Sequence, residues 1–168
     1  MPPTTTLSSA KTLRWEDLCR DPNLQDLPYK IETNRRGQII MTPTFQSHGA
    51  RQSEVSGLLR ERKGQVVSEC AVQTSDGTKV ADVGWYTTER WNEVSETFDT
   101  PTAPQVCVEI LSPSNTEDEM IEKKALYFEA GADEVWLCDE DGHMRFFDAD
   151  GERDASKRAS NFPQRVEI

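Results

Sequence analysis

The chain has 168 residues, of which 35% are hydrophobic and 29% charged, and its formal net charge is −11 at pH 7. No stretch approaches the ~18 apolar residues of a membrane helix, and residues 1–10 lack the basic start and apolar run of a secretory signal. These features argue against a membrane-spanning or secreted protein and predict a cytoplasmic one. The length predicts a flexible segment at 1–11 and a single domain at 12–168.

The first half of the chain is predicted to hold a short helix, a hairpin and a longer helix. Residues 13–18 favour a helix with Thr12 as its N-cap. Segments 29–33 and 38–42 flank a turn-forming Asn34-Arg-Arg-Gly37, which predicts a β-hairpin ended by Pro43. Ser47 is expected to cap a helix over about 48–63 that Gly64 ends. One face of this helix carries His48, Gln52, Val55 and Leu59.

The second half alternates apolar strands with helical patterns. Strands are predicted at 65–72 and 79–86, a short helical turn at 87–94 and a buried strand at 105–111. Thr116 and Glu119 form a capping box for a helix that runs to about Ala130. A hairpin follows, with strands at 134–139 and 143–147, and then a last strand near 165–168. The pattern indicates an α/β domain whose mixed sheet is flanked by helices, with strands 105–111 and 134–139 parallel.

The negative charge is unevenly distributed. Residues 1–64 carry ten Lys/Arg against seven Asp/Glu, whereas residues 117–154 carry four against fourteen. The overall charge argues against tight DNA binding, because phosphate contacts supply most nonspecific affinity for DNA. The four cysteines form no CxxC pair, which argues against zinc binding or a disulfide framework and favours free, buried thiols.

Two acids interrupt apolar strands: Asp82 in Lys79–Tyr86 and Glu109 in Val106–Leu111. Burying an unpaired carboxylate costs several kcal/mol, so each needs a partner, an exposed strand end or a function. Both are expected near the C-terminal ends of their strands, where ligands of open α/β sheets bind. The pair therefore predicts a Mg²⁺ site. Because unpaired carboxylates repel, replacing both is expected to stabilise the metal-free protein.

The helix after Glu109 offers two lysines as cationic partners. Helical periodicity places Lys124 slightly more inward than Lys123, and a solvated lysine is the alternative for either one. The residues alone leave this choice open.

The run Val108-Glu-Ile-Leu-Ser-Pro-Ser-Asn-Thr116 and the segments 122–132 and 134–139 closely resemble the Uma-type family of putative restriction endonucleases. The match extends back to Val80-Ala-Asp-Val83, which is similar to the "PD" strand with Ala81 in place of proline. It also includes Tyr29-Lys-Ile-Glu32 with Gly37, and His48. The resemblance implies a restriction-endonuclease-like core and the metal-dependent chemistry of the PD-(D/E)xK nucleases.

Carried over residue by residue, the resemblance assigns Asp82 and Glu109 as ligands of Mg²⁺ or Mn²⁺, aided by a backbone carbonyl near Ile110. The lysine expected two residues after the motif acid is replaced by Leu111. In this family the following helix supplies it, at Lys123. Glu32 is implied as a second acid at the site, and His48 is a weaker candidate.

The implied activity is hydrolysis of DNA phosphodiester bonds. Two rival interpretations remain: a noncatalytic binding or assembly module that keeps the fold, and a hydrolase of smaller phosphate esters. Cleaving both strands of a duplex with one site per chain predicts a homodimer. Its interface is expected at the edge of the second hairpin, with Phe146 and Phe147, unless those side chains complete the monomer's own core.

Overall fold

The computed structural model describes residues 13–168, so the predicted segment 1–11 and the predicted N-cap Thr12 lie outside the described residues. Its helices are α1 (Trp15–Arg20), α2 (Gln46–Arg60), α3 (Thr88–Val94) and α4 (Glu117–Glu129), with a 3-10 turn at Pro22–Leu24. Its strands are β1 (Tyr29–Thr33), β2 (Ile39–Pro43), β3 (Gln65–Thr74), β4 (Gly77–Tyr86), β5 (Val106–Ile110), β6 (Glu134–Cys138), β7 (Met144–Asp148) and β8 (Gly151–Arg153). Over this part of the chain no helix is long and apolar enough to cross a membrane.

Six strands form one mixed sheet in the order β3-β4-β5-β6-β7-β8. Every neighbouring pair in this sheet is antiparallel except β5 and β6, which are parallel and are connected along the chain by α4. The hairpin of β1 and β2 forms a separate two-stranded sheet that contacts β4. The predicted α/β architecture with a parallel pair at 105–111 and 134–139 is therefore confirmed.

The core lies on both faces of the large sheet. Val55 and Leu59 of α2 pack on one face in a cluster that also holds Trp136. Tyr127 of α4 packs on the other face against Cys107 and its neighbours. Cys70, Cys107 and Cys138 are buried free thiols, as predicted, whereas Cys19 is exposed. Helices on both faces explain why the central strands are apolar on both sides.

The helix ends match the predictions in part. The capping box of Thr116 and Glu119 is present. However, α2 begins at Gln46, after an extended Phe45 that makes no side-chain cap, so Ser47 is not the cap. Helix α2 also ends at Arg60, before Gly64. Gly64 instead allows a close approach, since a Cβ there would lie 2.3 Å from the carbonyl oxygen of Tyr86.

The C-terminal end of the sheet differs from the prediction. Strand β8 pairs with β7 and covers the edge that was expected to be free, while the predicted strand at 165–168 is reduced to one bridge between His143 and Arg165. Phe146 and Phe147 are 1% and 6% exposed, so both belong to the monomer's core. The predicted dimer interface at these residues is therefore wrong.

Candidate active site

Asp82 lies where the pairing of β4 with β5 ends. It is in the middle of β4, so the prediction that it lies near the C-terminal end of its strand is wrong. The β4–β5 ladder pairs residues 83–85 only, and Asp82 Oδ2 accepts a hydrogen bond of 2.7 Å from the backbone N–H of Ile110. The same oxygen lies 3.2 Å from Nε2 of His48 in α2. Asp82 is thus fixed by both β5 and α2.

The strand beside Asp82 is irregular. In the β3–β4 ladder Ser68 pairs with Val83 and Cys70 pairs with Ala81, so continuous pairing would put Glu69 opposite Asp82. That pair is missing from the ladder. Glu69 has a φ of 52°, a conformation that residues other than glycine seldom adopt. This local interruption of the ladder coincides with the position of the buried carboxylate.

Glu109 lies near the C-terminal end of β5, as predicted, and is 3% exposed. Its Oε1 accepts a hydrogen bond of 2.6 Å from the hydroxyl of Tyr127, which is on the buried face of α4. The next position in the β4–β5 register would place Glu109 opposite Asp82, so the two carboxylates occupy the same part of the sheet.

Lys123 is the lysine of α4 that enters the site. Its Nζ lies 2.8 Å from Glu32 and 3.1 Å from Glu109, and the residue is 7% exposed. Nζ of Lys124 lies instead 3.6 Å from the centroid of the Phe147 ring. The periodicity argument that turned Lys124 inward is wrong, because the buried stripe of the helix runs through Met120, Lys123, Leu126 and Tyr127.

Glu32 brings the hairpin to the same site. It is 7% exposed, and its Oε1 accepts a hydrogen bond of 2.7 Å from the backbone N–H of Val80 in β4. Burial acts to raise the pKa of Glu32, but Lys123 and Lys30 outweigh it and hold the pKa below its ordinary value. Glu32 is therefore ionised, and it joins the small sheet to the large one.

Lys30 is a central member of the site that sequence reasoning missed. Its Nζ lies 3.1 Å from Asp82 Oδ1 and 2.9 Å from Glu109 Oε2. The available signal was its position two residues before Glu32, which places both side chains on one face of β1. That signal is weak, because alternating charged residues on a hairpin strand are usually solvated.

The electrostatics distinguish the two central carboxylates. Burial raises the pKa of Glu109 above its ordinary value, although Lys123 and Lys30 oppose the shift. Burial would also raise the pKa of Asp82, but Lys30 and the hydrogen bond from His48 hold it below its ordinary value. Burial acts to lower the pKa of Lys30, but the charges of Glu109 and Asp82 outweigh burial and raise this pKa above its ordinary value. Asp82 and Lys30 are therefore ionised at neutral pH.

The space at the site is small. A cavity of about 20 Å³ lies between the hairpin, β5 and α4, and it is lined by Lys30, Glu32, Glu109 and Lys123 among others. This volume has room for about one water molecule. Next to it lies a cavity of about 250 Å³ that shares His48 and Ser112 with the first. The small cavity at Lys30, Glu32, Glu109 and Lys123 thus adjoins a larger recess at the N-terminal end of α2.

The mixed sheet, with helices on both faces and buried acids on β4 and β5, defines a protein of the restriction-endonuclease-like fold. Its structure is similar to that of a putative nuclease belonging to DUF820 from Anabaena variabilis, with a TM-score of 0.60 and 23% identity, over 70% of this chain and 71% of that one. The chain belongs to the Uma2 family, described as putative restriction endonucleases, which matches residues 15–163. The family resemblance of the sequence is thereby confirmed. No curated protein matches the chain.

Proposed function

We propose that this protein is a metal-dependent endonuclease that hydrolyses DNA phosphodiester bonds, with Asp82 and Glu109 holding Mg²⁺ or Mn²⁺. The observation that carries the proposal is that one oxygen of Asp82 and one oxygen of Glu109 lie close to the same atom, Nζ of Lys30. Lys123 and Glu32 lie beside these carboxylates. Membership in a family described as putative restriction endonucleases supports the substrate class.

The donor set fits a hard divalent cation. Asp82 Oδ1 and Glu109 Oε2 both face the ammonium group of Lys30, so a positive charge is already accommodated at the point between them. Carboxylate oxygens are the ligands that Mg²⁺ prefers, and a backbone carbonyl near Ile110 is the third donor that we propose. When bound, the metal supplies a Lewis acid that lowers the pKa of a coordinated water and neutralises charge on a phosphate.

The protein's own side chains would prepare this site for a phosphodiester. Lys123 places an ammonium group beside Glu109, where it can orient a water molecule or stabilise negative charge developing on phosphorus. Glu32 contacts Lys123 and can accept a proton from the water. His48 and Tyr127 each donate to one of the two central carboxylates, which fixes the direction of the remaining oxygens.

The distribution of charge supports an anionic substrate in spite of the net charge of −11. The hairpin and α2 border the site and belong to residues 1–64, the part of the chain with more basic than acidic residues, whereas α4 borders the site from the acidic part at residues 117–154. Arg51 of α2 lines the larger recess, and its buried Nε has no hydrogen-bond partner among residues 13–168. A half-buried guanidinium whose Nε has no partner is suited to a phosphate group.

One observation favours the noncatalytic alternative. Lys30 already neutralises the two carboxylates, and a buried ion pair of this kind can serve structure alone. A binding or assembly module that keeps the fold is therefore the second candidate function.

Cleavage assays separate the two functions. The purified protein should convert supercoiled plasmid or single-stranded DNA to shorter products with Mg²⁺ or Mn²⁺, and excess EDTA should abolish the reaction. A small phosphate ester such as p-nitrophenyl phosphate, assayed in parallel, tests the rival hydrolase. Absence of DNA cleavage under all metal and strand conditions, with a folded protein, would favour the noncatalytic module.

The homodimer stays a prediction, now at a different surface. The exposed large apolar side chains of the described chain concentrate around the hairpin, where Tyr29, Ile39, Ile40 and Met41 are 39–45% exposed. We expect sedimentation at micromolar concentration to show a dimer and Met41→Asp to give a monomer, because a buried charge disfavours the interface. A single species near 19 kDa for the unaltered protein would exclude the dimer.

A further inference from the structure

We infer that Lys30 is the resident cation of the carboxylate site and that a divalent metal ion binds only by displacing its ammonium group. The inference rests on the proposed metal site and adds an exchange step to it. Its starting point is that Nζ of Lys30 is within 3.1 Å of Asp82 Oδ1 and 2.9 Å of Glu109 Oε2, the two oxygens available to a metal.

The other oxygen of each carboxylate is already engaged. Asp82 Oδ2 accepts from the N–H of Ile110 and contacts His48, and Glu109 Oε1 accepts from Tyr127. An incoming cation is therefore restricted to the two oxygens that Lys30 occupies.

The ammonium group and a metal ion cannot share this point. Mg²⁺ coordinates oxygen at about 2.0–2.1 Å and keeps several waters in its shell. The cavity of about 20 Å³ beside Lys30 has room for about one water. Metal entry therefore requires Lys30 to leave.

The fold gives Lys30 a way to leave. Strand β1 belongs to the small sheet, and its anchors to β4 are Glu32 and Thr33, which bond to the backbone N–H groups of Val80 and Thr78. Lys30 lies two residues before Glu32 and three before Thr33, next to Tyr29, which is 45% exposed. A rotation of its long side chain toward solvent leaves the anchoring bonds intact.

Charge balance favours the exchange. The three carboxylates of Glu32, Asp82 and Glu109 face two ammonium groups, those of Lys30 and Lys123, so negative groups outnumber positive ones by one. Without Lys30 the cluster would carry two negative charges, which a divalent cation neutralises. Lys30 thus keeps the metal-free site compensated and at the same time weakens metal binding.

Calorimetric titration with Mn²⁺ of the unaltered protein, Lys30→Met and Lys124→Met tests this competition. Lys30→Met should lower the Kd by about tenfold or more, because no charge-assisted hydrogen bonds have to be broken. Lys124→Met is the matched control and should leave Kd unchanged within about twofold, because Lys124 lies outside the site. Equal affinity in Lys30→Met and the unaltered protein would overturn the inference alone. Absence of Mn²⁺ binding in all three proteins would overturn the proposed metal site with it.

A second measurement does not depend on the folding of a variant. In ¹⁵N-detected spectra of the lysine ammonium groups, the Lys30 signal should shift or disappear on saturation with Mg²⁺ as the group moves into solvent. The Lys123 signal should persist, since its contact with Glu32 does not involve the exchanged oxygens. A Lys30 signal that is unchanged at saturating Mg²⁺ would contradict the displacement.

Discussion

Asp82→Asn combined with Glu109→Gln should abolish binding of Mg²⁺ and Mn²⁺ and, with it, metal-dependent cleavage. Both changes keep the shape of the side chain and remove the charge from the two oxygens that converge beside Lys30. Neutral amides are much weaker ligands for a hard cation than carboxylates. Calorimetry with Mn²⁺ measures the loss directly.

A control variant is available in the turn between β6 and β7. Asp139, Asp141 and His143 bring three ligand atoms within 4.8 Å of one another, but Asp139 Oδ1 already accepts two backbone N–H groups of that turn. Asp139 is not among the residues that line the cavity at Lys30 and Glu109, so Asp139→Asn should leave Mn²⁺ binding at the buried site unchanged. Equal metal affinity in the unaltered protein and the Asp82/Glu109 double variant would show that the metal site has been misassigned.

The contacts of Asp82 and Glu109 also correct the expectation that replacing these two carboxylates stabilises the metal-free protein. Each carboxylate contacts Lys30, and Glu109 also contacts Lys123, so neither is uncompensated. Removing both partners of a buried lysine typically costs about 3–5 kcal/mol of unfolding free energy. We expect urea denaturation to show destabilisation, which adding Lys30→Met should partly reverse.

The carboxylate pair could be predicted from the sequence because it breaks local rules. Asp82 and Glu109 are charges inside apolar runs, and burial without a reason is too costly to be common. The capping box at Thr116 and the βαβ unit are likewise local patterns with a known physical cause. These features need only neighbouring residues to be recognised.

The remaining parts of the site depend on contacts between distant residues. Lys30 meets Asp82 across 52 positions and Glu109 across 79, and within Tyr29–Thr33 only its two-residue spacing from Glu32 gives a weak signal that this lysine is buried. Strand β8 consists of Gly-Glu-Arg, which has no apolar alternation to indicate a strand, and it forms because β7 offers an edge. The choice between Lys123 and Lys124 also depended on where the sheet lies against α4.

Lys123→Ala should lower kcat for DNA cleavage by about 100-fold to 1,000-fold, the usual cost of removing one group that stabilises charge in a transition state. The expectation follows from its ammonium group, which lies 3.1 Å from Glu109 and 2.8 Å from Glu32, inside the proposed site. Lys124→Ala should retain cleavage within about threefold, because Nζ of Lys124 lies over the Phe147 ring.

Loss of activity in Lys123→Ala has to be separated from loss of structure, since this lysine also compensates two buried carboxylates. Single-turnover assays at saturating Mn²⁺ should show a lower rate of DNA cleavage in Lys123→Ala. Calorimetry should still detect metal bound by Asp82 and Glu109 in the same variant. Lys123→Arg keeps the charge and should recover stability more than activity, because a planar guanidinium cannot occupy the position of a compact ammonium group. If Lys124→Ala abolishes cleavage while Lys123→Ala retains it, the lysine of this site has been assigned to the wrong residue.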